Sequence, residues 1–95
     1  MKNKHLKDRA RKMKLMSHPT AIDILDYITK HPKTSVTPIY KNLDIEQSVC
    51  STFLGKLRKA AFIDPTRDGK KIRYEVKHDE IDKCLSYVSE HFYAT

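Results

Sequence analysis

Residues 43–76, LDIEQSVCSTFLGKLRKAAFIDPTRDGKKIRYEV, decide the fold. Within them Cys50, Leu54 and Leu57 recur at steps of four and three, the spacing that aligns side chains along one side of an α-helix, so a helix is expected from Glu46 to about Ala60. Its opposite side carries Gln47, Ser48, Ser51, Thr52 and Lys56. Phe62-Ile63 and Ile72-Arg73-Tyr74-Glu75-Val76 then flank Arg67-Asp68-Gly69-Lys70-Lys71, in which Asp-Gly is a strong signal for a hairpin turn. Ile72, Tyr74 and Val76 alternate with Arg73 and Glu75, as a half-buried strand requires. A polar helix face therefore stands beside a cationic β-hairpin.

Upstream, Leu6, Ala10, Met13 and Met16 fall at helical spacing among lysines and arginines, which predicts an amphipathic first helix from about Lys4 to Met16. Ser17-His18-Pro19 offers a cap and a first-turn proline for a second helix, whose Ala21, Ile24, Leu25 and Ile28 share one face. His31-Pro32 ends it. Val36 is expected as a strand stub, and Thr37 as the cap of a short helix holding Pro38, Ile39, Tyr40 and Leu43. Downstream, a last helix is predicted from Asp79 to Phe92, with Ile81, Leu85, Val88 and Phe92 on one stripe and Cys84 beside it. The order is helix, helix, short helix, turn, helix, hairpin, helix: an α+β, mostly α, winged helix-turn-helix. The whole chain, 1–95, reads as one domain, with helix-turn-helix over 37–60 and wing over 62–76.

A chain of 95 residues buries only about two-thirds of its unfolded surface, so its own core is modest. The first and last helices, 4–16 and 79–92, carry apolar faces that this core does not need, which predicts a homodimer through them. The interface residues would be Leu6, Ala10, Met13, Ile81, Cys84, Leu85, Val88 and Phe92.

Charge points to the partner. The chain has 19 basic and 12 acidic side chains, net +7, with a pI near 9.5, a balance that favours a polyanion. Residues 1–14 hold seven cations against Asp8, whereas the tail from Glu75 holds two against five acids. The expected partner is double-stranded DNA. Gln on a helix in the major groove takes adenine bidentately, and Ser or Thr meets several base edges; this is the role assigned to Gln47, Ser48, Ser51 and Thr52, with Lys56 beside them. Arg67, Lys70, Lys71 and Arg73 on the hairpin would reach phosphates or the minor groove, with Thr37, Tyr40 and Lys41 as further phosphate contacts. Val49 and Phe53 either meet thymine methyls or simply pack. The basic first helix either reaches flanking DNA or neutralises the acidic last helix.

These residues together resemble the ArsR/SmtB family of small bacterial and archaeal winged-helix repressors. Three pieces carry the resemblance, which runs from about Met16 to Val88: Ser17-His18-Pro19-Thr20-Ala21-Ile22-Asp23-Ile24-Leu25, then Gln47 to Leu54 with Leu57-Arg58-Lys59-Ala60, then Asp68-Gly69-Lys70-Lys71-Ile72-Arg73-Tyr74. It implies a homodimer, paired through its first and last helices, that occupies a palindromic operator and blocks transcription until a signal releases it. The chain departs from the family at Thr20, where arginine is usual, at Phe53, where histidine is frequent, and at Ala61, where glycine follows the recognition helix. The short helix Thr37 to Leu43 lacks the cysteines of the family's thiolate metal site, and the last helix lacks the Asp-x-His and His-x-x-Glu ligands of its other site.

No cofactor or metal is therefore expected. His5, His18, His31, His78 and His91 are dispersed; a site would need a combination such as His78, Asp82 or His91 with a second chain. Cys50 reads as a core thiol, and Cys84 either packs or serves as a redox switch. No catalytic constellation or glycine-rich phosphate loop appears, so an enzyme is not expected. No apolar run approaches the roughly 20 residues of a membrane span, which makes a cytoplasmic, DNA-associated protein the expectation. The residues name no small-molecule effector. Two other readings remain open at this point: a winged-helix module that binds a protein or DNA nonspecifically, and a redox- or metal-responsive repressor.

Overall fold

The computed structural model describes residues 10–88, with side chains described through Lys83. Residues 10–16 form the described part of α1, followed by α2 (Pro19–Lys30), α3 (Val36–Asn42), α4 (Gln47–Lys59), β1 (Ile63–Asp68), β2 (Lys71–Val76) and α5 (His78–Val88). This is the expected winged helix-turn-helix order. Residues 4–9 and 89–92 of the predicted terminal helices lie outside the described residues.

The core forms where α2, α3 and α4 turn their apolar faces together. Ala21, Ile24, Leu25 and Ile28 of α2 meet Ile39 of α3 and Cys50, Leu54 and Leu57 of α4, and Phe62 and Ile63 close the cluster. Fully burying each large aliphatic or aromatic side chain contributes about 1.5–3 kcal/mol, so these ten positions dominate the stability. Met13, Leu15 and Met16 of α1 and Ile81 of α5 pack against the same cluster while half-buried. Ala10, expected on the apolar face of α1, is exposed. Lys12 pairs with Glu80 at 3.6 Å, tying α1 to α5 within one chain.

Each helix of the trio has a recognisable start and stop. His18, rather than Ser17, caps α2: its Nδ1 accepts from the Thr20 amide at 3.3 Å, and Pro19 occupies the first helical position, where no N–H is needed. The helix α3 begins at Val36, one residue before the expected cap Thr37, and its N-cap Ser35 makes no side-chain bond. Pro38 tolerates this because the first-turn amides have no helical partner to lose. The expected strand at Val36 is displaced to Thr34, which pairs antiparallel with Tyr74 through Lys33 N–H to Tyr74 O (3.0 Å) and Tyr74 N–H to Thr34 O (2.9 Å). β2 is thereby flanked on both sides, and β1, an edge strand, accommodates Pro65.

Among the described residues three non-glycine residues sit at positive φ, and each lies where a helix ends: Lys33 (66°) after α2, Asp44 (54°) after α3 and Ala61 (63°) after α4. The last is a Schellman turn. Phe62 N–H donates to Leu57 O at 3.0 Å and Ala61 N–H to Arg58 O at 2.9 Å, the paired reverse bonds that satisfy a helix's final carbonyls. Phe62 and Leu57, both fully buried, supply the accompanying apolar contact.

The hairpin is tighter than expected. Strands run to Asp68 and Lys71, which face each other, leaving a two-residue loop of Gly69-Lys70 instead of a five-residue turn. Only Gly69 of that loop has positive φ (63°), the pattern of a type II′ turn, whose twist matches the strands. Ile72, expected to point into the core, is 46% exposed because the wing extends beyond the helices that would cover it.

Candidate nucleic-acid interface

Gln47, Ser48, Ser51 and Thr52 all lie exposed on the first half of α4. The buried row Cys50, Leu54 and Leu57 fixes the helix roll, so the polar residues necessarily face away from the core. Thr52 Oγ1 donates to Ser48 O at 2.9 Å, which uses its proton and leaves its lone pairs to accept. Val49 is exposed at 37%. Phe53 is half-buried against the core edge, its ring centroid 4.6 Å from that of His18.

Lys56 does not join the polar row. Its ammonium lies 5.4 Å from the Phe53 ring centroid, a cation–π geometry, and the side chain lines a hollow of about 210 Å³ between α1 and the end of α4, together with Arg11, Lys12 and Lys59. This places it toward α1, away from the wing.

At the wing, Lys70 and Lys71 are exposed at the loop, and together with Thr37 and Pro38 of α3 they line a hollow of about 520 Å³. The structure thus brings Thr37 to the wing tip, while Lys41 is exposed on α3 and Tyr40 packs half-buried against the core. Arg67 Nε donates to Gly69 O at 3.3 Å and bends over its own turn. Arg73 differs from the expectation: its Nε donates to Asp68 at 2.7 Å and its Nη1 to Lys33 O at 3.1 Å, so the guanidinium clamps the wing to the link after α2. The pleat sets Arg73 on the face of the hairpin with Asp64, Asp68 and Glu75, and Pro65, Ile72 and Tyr74 on the other.

Two residues absent from the sequence-based site face the wing. Gly55 and Arg58 line a hollow of about 380 Å³ between α4 and the hairpin, with Ser51, Leu54, Pro65, Ile72 and Tyr74. The signal for them was positional: 47, 51, 55 and 58 follow one another at steps of four, four and three. Burial pushes the Tyr74 phenol above its ordinary range and the neighbouring Cys50 adds to this, while the positive charge of Arg58 pulls the other way. Burial likewise raises the Cys50 thiol, which disfavours the reactive thiolate.

Of the proposed interface between copies, Met13 and Ile81 are half-buried against their own core and Ala10 is exposed. Leu6 and Phe92 lie outside the described residues, as do the side chains of Cys84, Leu85 and Val88. Among the described residues no group of three or more His, Cys, Asp or Glu is placed to hold a metal ion, and no helix is long and apolar enough to cross a membrane.

No family model matches the sequence. The transcriptional repressor PagR of Bacillus anthracis is 31% identical over 84 residues, which span 88% of this chain and 84% of PagR. Its crystal structure superposes with a TM-score of 0.71, covering 90% of this chain and 98% of that one. NolR from Sinorhizobium fredii matches with a TM-score of 0.76 at 27% identity, covering 96% and 90% of the two chains. Mb0332 from Mycobacterium bovis, described as a homodimeric winged helix-turn-helix DNA-binding domain and a possible ArsR-family regulator, shares the fold at a TM-score of 0.77 and 20% identity, over 96% and 87%. Element order, wing register and these likenesses agree: the chain belongs to the ArsR family of winged helix-turn-helix transcriptional regulators.

Proposed function

We propose that the protein binds double-stranded DNA sequence-specifically and represses transcription as a homodimer on a palindromic operator. The observation that carries this reading is the exposed polar row Gln47, Ser48, Ser51 and Thr52 on α4, set beside a wing whose tip presents Lys70 and Lys71. In this reading the polar row enters the major groove, with Gln47 taking a base bidentately, and the wing lysines meet phosphate. Residues 37–60 act as the helix-turn-helix and 62–76 as the wing of a single unit. Helices α1 and α5 pair two copies, so that the recognition helices occupy grooves about one turn apart. The repressor activity of PagR and the homodimeric state of Mb0332 support the assignment.

Selection from random duplexes, followed by titration of the enriched site, tests it. The expected site is an inverted repeat with half-sites about 10 base pairs apart. Gln47→Ala should relax preference at one position in each half-site, whereas Lys70→Ala should weaken all sequences alike and reduce the salt slope by about one. Enrichment of no sequence, with salt-labile binding to every duplex, would refute the specific-regulator reading.

A further inference from the structure

We propose that Val49 is a base-reading residue: its methyl groups seat the 5-methyl of one thymine in each half-site, while Thr52 beside it accepts a hydrogen bond from the N6 amino group of the paired adenine. The inference rests on the duplex-binding reading and deepens it by naming the base pair that the middle of α4 selects.

Exposure separates Val49 from the other large apolar residues of its helix. Cys50, Leu54 and Leu57 are buried, and Phe53 is half-buried, its ring engaged by the His18 ring at 4.6 Å and by the Lys56 ammonium at 5.4 Å. Val49 is exposed at 37%. A β-branched side chain lowers helix propensity, and facing water it gains no burial in return, so the stability of α4 does not account for it. Helical period sets Val49 on the outer surface beside Thr52, three residues on, and Lys56, seven residues on. Ser51 and Arg58 turn instead toward the wing. An apolar side chain is thus presented to the outside from within the polar row.

The chemistry of the base edges selects what Val49 meets. In the major groove the thymine 5-methyl is the one apolar group that a base edge presents. Thr52 narrows the choice further. Its Oγ1 donates to Ser48 O at 2.9 Å, so toward a base the oxygen offers lone pairs only and its partner must be a donor. The donors on that side are the N6 amino group of adenine and the N4 amino group of cytosine, whereas guanine and thymine offer acceptors. Residues three apart on a helix hold their Cβ atoms about 5–6 Å from each other, close enough for Val49 and Thr52 to address one base pair. An A·T pair shows both an amino donor and a methyl group, and a C·G pair shows the amino donor without the methyl. The two side chains together therefore select A·T.

The test uses the full chain and the duplex selected from random sequence, with melting curves for each variant. Replacing its thymines one at a time by deoxyuridine removes only the methyl group, and at one position in each half-site this should weaken the wild type about fourfold. Val49→Ala should be indifferent to deoxyuridine there and bind the unmodified duplex about fourfold more weakly per half-site. It should melt no lower than wild type, because alanine is the better helix former. Replacing the paired adenine by purine removes only the N6 amino group; this should weaken the wild type about fivefold and leave Thr52→Val unmoved. Wild-type affinity undiminished by any deoxyuridine, or an equal loss in wild type and Val49→Ala, would overturn the role of Val49 while leaving the DNA reading intact. A purine effect that persists in Thr52→Val would overturn the role of Thr52. Failure of the wild type to bind any duplex would overturn the duplex-binding reading and this proposal together.

Discussion

Ala61→Gly should stabilise the protein. Ala61 holds φ of 63°, and for an L-residue the left-handed region costs roughly 1–2 kcal/mol, because Cβ crowds the carbonyl oxygen. Glycine removes that cost but gives the unfolded chain more freedom, which offsets about 0.4–1 kcal/mol. The Schellman bonds from Ala61 and Phe62 use only backbone atoms and survive the change. The net gain is about 0.5–1 kcal/mol, or about 3 to 6 °C in a domain of this size. Urea unfolding measures it as a higher midpoint at unchanged slope. The neighbouring Ala60 provides the control. It has φ of −79°, so Ala60→Gly should lose about 0.5–1 kcal/mol. If both substitutions lower the midpoint equally, the left-handed turn after α4 does not exist and the reasoning fails. The stake is functional, since this turn anchors Phe62 in the core and sets the angle at which the wing leaves the recognition helix.

Arg73→Ala should accelerate amide exchange across β1 and β2, because it removes the bonds to Asp68 and to Lys33 O; global stability should fall by less than about 1 kcal/mol, as expected for a pair this exposed. Unchanged wing exchange would show that the clamp does not order the hairpin. Stability should also decline at alkaline pH. Cys50 and Tyr74 have folded pKa values raised above their ordinary 9.0 and 10.0, so the unfolded chain loses those protons first and the native state binds more of them. Their contribution is therefore fully present below pH 9.0 and is lost as pH rises through the raised folded values. Urea midpoints in the wild type and Cys50→Ala check this. An identical alkaline decline in both would remove Cys50 from the account.

The α-helical core was legible because burial there follows a strict period. All four residues read on α2 and all three on α4 are buried, since a helix packed on one side leaves no choice of face. The hairpin was less legible. The Asp-Gly signal located the turn, but only pairing registers decide that Asp68 belongs to a strand and Gly69 to the loop. β-Branching gives Val36 a local preference for extended backbone, while the bridge that forms at Thr34 depends on where Tyr74 arrives from 40 residues downstream. On α4, helical period placed Gln47, Ser48, Ser51 and Thr52 on the side away from the core, and all four are exposed. The same period grouped Lys56 with them, but its side chain lines the hollow beside α1, whereas Arg58, not singled out by the sequence, lines the hollow that faces the wing. Each cation's direction depends on helix roll and on what packs alongside, and neither is written in composition.

Charge placement carries the same lesson further. A net charge of +7 spread evenly would attract DNA to any face and orient none, whereas the fold sorts the charges by pleat and by helix pairing. On the wing, alternation puts Asp64, Asp68 and Glu75 on the face away from Pro65, Ile72 and Tyr74, together with Lys71 opposite Asp68, and Arg73 neutralises Asp68 there. At the other end of the domain, Lys12 is paired with Glu80 of α5, so part of the basic first helix answers the acidic last helix within its own chain. What stays exposed near α4 is then cationic toward the wing, with Lys70 and Lys71 at its tip and Arg58 facing it, and acidic only at the start of the helix, at Asp44 and Glu46. In the proposed reading, the cations on the wing side draw a duplex toward that side before any base is read. Within that face the neutral Gln47, Ser48, Ser51 and Thr52 occupy the centre, where a nearby cation would bind any sequence and dilute discrimination. In the proposed reading, affinity and specificity thus fall to different residues: phosphate contact to Lys70 and Lys71 of the wing, and base contact to Gln47, Ser48, Ser51 and Thr52 of α4.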